Sequence, residues 1–184
     1  LKADELGPYF ECSMEKYIQS MCAEFERHVE KSTRDYTTPA APGSNLLANE
    51  GEAIDTSGYR KYVGKTLFAV KKVVPDSGNA VRELSMHLAD PGTQQWKALA
   101  RVMGHLKHHY TPIKLRRPLD LRVQSHVDTD WASYRNDRKS ITSLLTAIGF
   151  VCLVNWQCKK QNTVALSSTE AELYGESSAS QDVM

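Results

Sequence analysis

With 184 residues, 41% hydrophobic and 24% charged side chains and a formal charge of +1, the chain can bury a real core and lacks the basic surplus of an autonomous nucleic-acid binder. Cys12, Cys22, Cys152 and Cys158 show no Cys-x-x-Cys spacing and sit in or beside apolar stretches. That usage points to reduced thiols in an intracellular compartment, cytoplasmic or nuclear, and away from a disulfide framework or a zinc site. No apolar run approaches the ~20 residues of a membrane span, the first residues lack a signal-peptide pattern, and a chain opening on Leu1 reads as an excerpt of something longer.

Residues 13–30 read as a helix. Met14, Tyr17, Ile18, Met21, Cys22, Phe25 and Val29 recur at three- and four-residue steps, and Ser13 precedes them as an N-cap. Such a stripe faces either a core or a docking partner. Residues 31–57 hold Pro39, Pro42, Gly43 and Gly51 among small and polar side chains, the composition of a linker that cannot bury enough surface to fix itself.

Residues 58–110 then read as three helices. The first carries Tyr62, Val63, Thr66, Leu67 and Val70, the second runs from about Asn79 to Leu88, and the third starts near Thr93 with Trp96, Leu99, Ala100, Met103 and Leu106. Pro75 and Pro91-Gly92 punctuate them. His105 and His109 are four apart, a spacing that can hold a metal from one helix face, but no third ligand is signposted. A Lys/His-rich helix end also complements the dipole.

From Leu119 the period changes. Leu119, Leu121 and Val123 alternate with Asp120, Arg122 and Gln124, predicting a strand that ends at Asp128. Residues 144–154 are apolar and β-branched around Gly149, as two strands joined near that glycine, and Thr163–Leu166 reads as a further short strand. Ser167 or Ser168 then caps a helix with Glu170 and Glu172 near its start, where the dipole favours anions. A helix crossing back over a three-stranded meander brings Glu172 against the end of the first strand. Trp131 and Trp156 fit sheet packing better than base stacking. Arg116-Arg117, Arg135, Arg138-Lys139 and Lys159-Lys160 are each a solvated pair or part of a local phosphate-contacting patch.

Four blocks in order, Asp128-x-Asp130-Trp131-Ala132, Arg138-Lys139-Ser140, Lys159-Lys160-Gln161 and Val164-Ala165-Leu166-Ser167-Ser168-Thr169-Glu170-Ala171-Glu172, resemble the ribonuclease H domain of Ty1/copia-type retrotransposon polyproteins. Upstream, Tyr59-Arg60-Lys61-Tyr62-Val63-Gly64 and Pro75-Asp76, Ala80-Val81, Leu84-Ser85, Trp96 and Leu106-Lys107 resemble the segment that joins polymerase to ribonuclease H. The resemblance implies an α/β chain. Residues 1–30 would close the reverse transcriptase region, 31–57 link, 58–118 form a helical connection region, and 119–184 make a partial ribonuclease H-like fold of antiparallel meander plus helix.

It also implies hydrolysis of RNA in RNA–DNA hybrids by two Mg²⁺ or Mn²⁺ ions about 4 Å apart. Asp128 and Glu172 match the family's first two metal-holding, catalytic acids. Asp130 and Glu170 are the nearest alternatives, since one residue of register exchanges which aspartate faces the site. Arg138, Lys139, Lys159 and Lys160 would contact the hybrid. No adjacent aspartate pair occurs anywhere, so polymerase chemistry is not expected. The family's third and fourth aspartates have no counterpart, and Asp182, ten residues past Glu172, reads as a surface residue of the same helix. A different class of function follows from that gap: a non-catalytic structural or interaction subunit that meets protein partners in a larger assembly.

Overall fold

The computed structural model describes residues 2–43, 45–134 and 137–183, with 182 and 183 as backbone alone. Along the chain run β1 (Lys2–Asp4), β2 (Gly7–Cys12), α1 (Glu15–His28), α2 (Thr56–Val73), a 3₁₀ turn (Pro75–Ser77), α3 (Gly78–Ser85), α4 (Thr93–His109), β3 (Ile113–Arg116), β4 (Val123–Tyr134), β5 (Lys139–Ile148), β6 (Cys152–Lys160) and α5 (Ser168–Val183). Helices and antiparallel sheets both occur, so the chain is of the α/β kind expected. Among the described residues no helix is long and apolar enough to cross a membrane. Two compact units divide the chain: Ser13–Pro112, and Leu1–Cys12 with Ile113–Met184.

The helical unit is built on the spacing that the sequence displays. Ile18, Met21, Cys22 and Phe25 of α1 are buried, as are Tyr59, Tyr62, Val63 and Thr66 of α2 and Leu99, Val102, Met103 and Leu106 of α4. Buried hydroxyls find acceptors inside the unit: Tyr59 donates to the Leu84 carbonyl at 2.9 Å and Thr66 to the Tyr62 carbonyl at 2.7 Å. Desolvation pushes the Tyr59 phenol up from its ordinary value. Met14, not Ser13, stands at the N-cap position of α1, while the Ser13 hydroxyl accepts from the Glu15 amide at 3.2 Å.

Among the described residues of 31–55 there is neither helix nor strand, and the helices supply what fixes them. Glu26 accepts from the amide and hydroxyl of Thr33. Arg101 donates to the Thr38 carbonyl, Gln95 to the Leu47 carbonyl and the Trp96 indole to the Ile54 carbonyl. Asp55 caps α2 by accepting from the Gly58 amide at 2.9 Å, and its other oxygen meets His28 Nε2 at 2.6 Å. The segment comes close to α4 at Gly104, where a Cβ would lie 2.1 Å from the Arg34 carbonyl oxygen. Any larger residue there would push the segment off α4.

The strand unit holds two three-stranded sheets, ordered β1-β2-β3 and β4-β5-β6, each antiparallel throughout. In the first, Asp4 accepts from Arg116 at 2.5 Å and from Lys114 at 3.0 Å, and these two cations hold its carboxyl well below the usual range. In the second, β4 starts at Val123 and runs on to Tyr134, so Asp128 lies mid-strand and not at its end. The alternation at Leu119 and Leu121 is not strand. Asp120 draws the Arg122 amide and guanidinium back onto itself, and both leucines are exposed. Thr163–Leu166 is likewise loop, with Leu166 87% exposed.

The β5–β6 hairpin turns where the glycine marks it. Gly149 and Phe150 have φ of +56° and +61°, the paired left-handed conformations of a type I′ turn. A Cβ on Gly149 would also meet the Asp120 carbonyl oxygen at 2.7 Å.

Candidate functional site

The candidate site is where α5 lies on β4. Its helix is capped by two side chains at its start. Ser167 Oγ accepts from the Glu170 amide at 3.1 Å, while Glu170 Oε2 accepts from the Leu166 amide at 2.6 Å. Ala171, Gly175 and Ala179, four apart, are its buried stripe. Gly175 permits the approach: a Cβ there would stand 2.6 Å from Thr129 Oγ1 and 3.0 Å from Val127 Cγ1. Gln161 ties the junction together, donating to Thr142 Oγ1 and to the Ala171 carbonyl, both at 2.9 Å. The Trp131 indole donates to the Ala165 carbonyl at 3.0 Å, pinning the loop that enters α5.

This contact fixes the strand's facing. Val127 and Thr129 point at α5, so alternation puts Asp128 and Asp130 on the other face, with Asp128 opposite Ser143 and Asp130 opposite Ile141. Asp128 is exposed. Glu172 sits in the opening turns of α5, half-buried. Neither carboxylate has an ion pair or side-chain hydrogen bond among the described residues, whereas Glu170 is committed to the helix cap and also accepts from the Tyr174 hydroxyl at 3.3 Å. The S-x-x-E spacing of Ser167 and Glu170 carried that signal in the sequence.

Of the cationic candidates, Lys160 is engaged. Its ammonium is 2.8 Å from Asp137 Oδ2 and 4.4 Å from the centre of the Tyr134 ring. Burial works to raise the Asp137 carboxyl, but hydrogen bonds from Lys160 and the Lys139 amide outweigh it and hold the group below its ordinary value. Asp137 went unnoticed in the sequence because only the hairpin brings it to Lys160. Arg138 is exposed at φ +58°, Lys139 is half-buried beside it, and Lys159 is exposed on β6 opposite Thr142. Arg135 lies outside the described residues, as does the side chain of Asp182.

Among the described residues no group of three or more His, Cys, Asp or Glu side chains could hold a metal ion. Two candidate carboxylates are present, Glu172 on α5 and Asp128 on the β4 face away from that helix; a two-ion site asks for more donors than these. His105 and His109 of α4 are structural ties: His105 meets the Tyr36 carbonyl and Asp76, each at 3.0 Å, and His109 meets Asp35 at 2.6 Å.

No protein-family model matches the chain, and no solved structure does. Curated relatives do. Secreted RxLR effector protein 161 of Plasmopara viticola is 35% identical over 127 residues, covering 68% of this chain and 89% of that protein. The Pol polyprotein of transposon TNT 1-94 from Nicotiana tabacum is 29% identical over 167 residues, and that of transposon RE1 from Arabidopsis thaliana 31% over 164 residues. Each of these two matches covers 87% of this chain but only 12% and 11% of the polyprotein. The alignments span both the helical and the strand regions, so the four-block resemblance and the upstream scaffold have one origin: the chain belongs to the copia-type retrotransposon Pol polyprotein family, of which it spans a segment.

Proposed function

We propose that this segment serves hydrolysis of RNA in RNA–DNA hybrids, as the meander-and-helix portion of a ribonuclease H-like domain that contributes Asp128 and Glu172 to a site for Mg²⁺ or Mn²⁺. The observation that carries the reading is the pair of unengaged carboxylates. Among the described residues Asp128 on β4 and Glu172 on α5 make no ion pair, while the neighbouring candidate Glu170 is spent on the cap. The ions would supply activation of water and stabilisation of the leaving oxygen. The protein's own part is to hold Glu172 on α5 and Asp128 on β4, two elements locked together at Gly175, with Asp128 on the strand face away from the helix. Arg138, Lys139 and Lys159 stand exposed or half-buried for hybrid phosphates, and Lys160 would have to leave Asp137 to join them.

A second reading rests on a specific observation: no three-donor set assembles among the described residues. On that reading the segment is a non-catalytic structural or interaction module of retroelement descent. The experiment separating the two is Mg²⁺- or Mn²⁺-dependent cleavage of a labelled RNA–DNA hybrid by the chain, beside Asp128→Asn and Glu172→Gln. Cleavage that falls at least about a hundredfold in both variants supports hydrolysis. A folded chain that leaves the hybrid intact, or cleavage indifferent to both substitutions, overturns it in favour of the scaffold.

A further inference from the structure

The helical unit contains a groove that the hybrid-hydrolysis reading does not use. It measures about 490 Å³, within the range of small-molecule sites, and lies between α1, α4 and the segment at 31–36. Its apolar walls include Val29, Trp96 and Tyr36, and its rim carries Lys31, Arg34 and Lys97. No carboxylate lines it. Among the described residues none of the three rim cations has an ion pair, and all three are exposed. Glu26, which accepts from the lining residue Thr33, is already occupied by Lys107 at 2.8 Å, and Asp35, next to Arg34, meets His109 at 2.6 Å.

The walls are held from behind. Trp96 stacks near-parallel on Phe25 and His28, at 6.1 and 5.9 Å between ring centres, and its indole N–H is spent on the Ile54 carbonyl. Tyr36 is gripped through its carbonyl by His105 and across its ring by Arg101 at 4.6 Å. A groove whose walls are immobilised and whose rim cations are uncompensated has lost little by pre-organisation and has charge to neutralise.

We infer that this groove binds a small aromatic anion, a one- or two-ring molecule bearing a carboxylate or sulfonate, with its ring against Trp96 and Tyr36 and its charge among Lys31, Arg34 and Lys97. The ring supplies apolar burial and stacking, and the acid group supplies charge-assisted hydrogen bonds that a neutral ring cannot make.

The test uses the full chain and three probes: 8-anilinonaphthalene-1-sulfonate, 1-naphthoate and the neutral 1-naphthalenemethanol. The sulfonate should bind at one site with enhanced emission and be displaced by naphthoate. Amide and indole N–H resonances of Thr33, Trp96 and Ala100 should shift on binding. Naphthoate should bind about tenfold or more tighter than the neutral alcohol, and the triple variant Lys31→Gln, Arg34→Gln, Lys97→Gln should erase that preference. Because the three side chains are exposed, the variant should keep the wild-type helical circular dichroism and melting temperature. Equal binding of naphthoate and alcohol, shifts confined to the strand unit, an unaltered preference in the folded variant, or no binding below millimolar concentration would each overturn the inference. None of these outcomes bears on Asp128 or Glu172, so the groove and the hydrolytic reading fail separately.

Discussion

Phe150 occupies the left-handed region at φ +61° with 66% of its surface exposed. An L-residue with a Cβ incurs roughly 1–2 kcal/mol in that conformation, and a ring that far into solvent recovers little by burial. Asn tolerates the conformation because its short amide bonds locally, and it is a preferred occupant of a type I′ turn beside Gly. Phe150→Asn should therefore stabilise the strand unit by about 1 kcal/mol, read as a higher denaturant midpoint with an unchanged slope. A midpoint that stays or falls would show that the ring is held by contacts its exposure does not reveal. The same turn shows why its neighbour is glycine: at Gly149 both the positive φ and the Asp120 carbonyl exclude a side chain.

At the scale of elements, α1 and α2 are joined at one carboxylate. Glu24 meets Lys61 at 2.5 Å and also Lys65, and hydrogen bonds from these two, Lys61 first, hold its carboxyl at about 2 against an ordinary 4.5. A folded-state value below the unfolded one means that the pair's contribution is complete above pH 4.5 and is lost as pH falls toward 2. The melting-temperature difference between wild type and Glu24→Gln should be largest above about pH 5, shrink through that window, and narrow further in high salt, since the groups are partly exposed. A difference that is flat with pH would mean that Glu24 acts by packing alone.

The same scale explains what could be read in advance. The helices were legible because their buried residues keep three- and four-residue steps, as at Tyr59, Tyr62, Val63 and Thr66. The strand register was not, because Leu119 and Leu121 alternate as a strand would and yet precede a local Asp120–Arg122 tie. The strands Lys2–Asp4 and Gly7–Cys12 are too short for periodicity and are fixed by pairing with one another and with Ile113–Arg116, a partner about 100 residues away. The candidate acids were legible as residue types in a family order. Their facing was not, because it depends on which side of β4 receives Gly175.

For the whole molecule, the two compact units differ in how the chain composes them. The helical unit is one uninterrupted run, Ser13–Pro112, whereas the strand unit is assembled from both sides of it. The helical run carries its own core in Phe25, Tyr59, Tyr62, Leu84, Leu99 and Met103. Its two ends are also clasped: the Met14 amide donates to the Tyr110 hydroxyl at 2.9 Å, and that hydroxyl lies 3.4 Å from Ser13 Oγ. A run of about 100 residues with a closed core and adjoining ends is within the size at which a domain folds alone. Residues 13–112, excised, should therefore show native-like helical circular dichroism and a single cooperative melt, with Tyr110→Phe lowering the midpoint by loosening the clasp. The complementary piece from Ile113 onward should keep the β4–β6 meander but lose the β2–β3 ladder, since β3 would have no β2 to pair with. A broad, non-cooperative melt of the excised helical run would mean that its core needs the strand unit, and the division into two independently folding bodies would then be wrong.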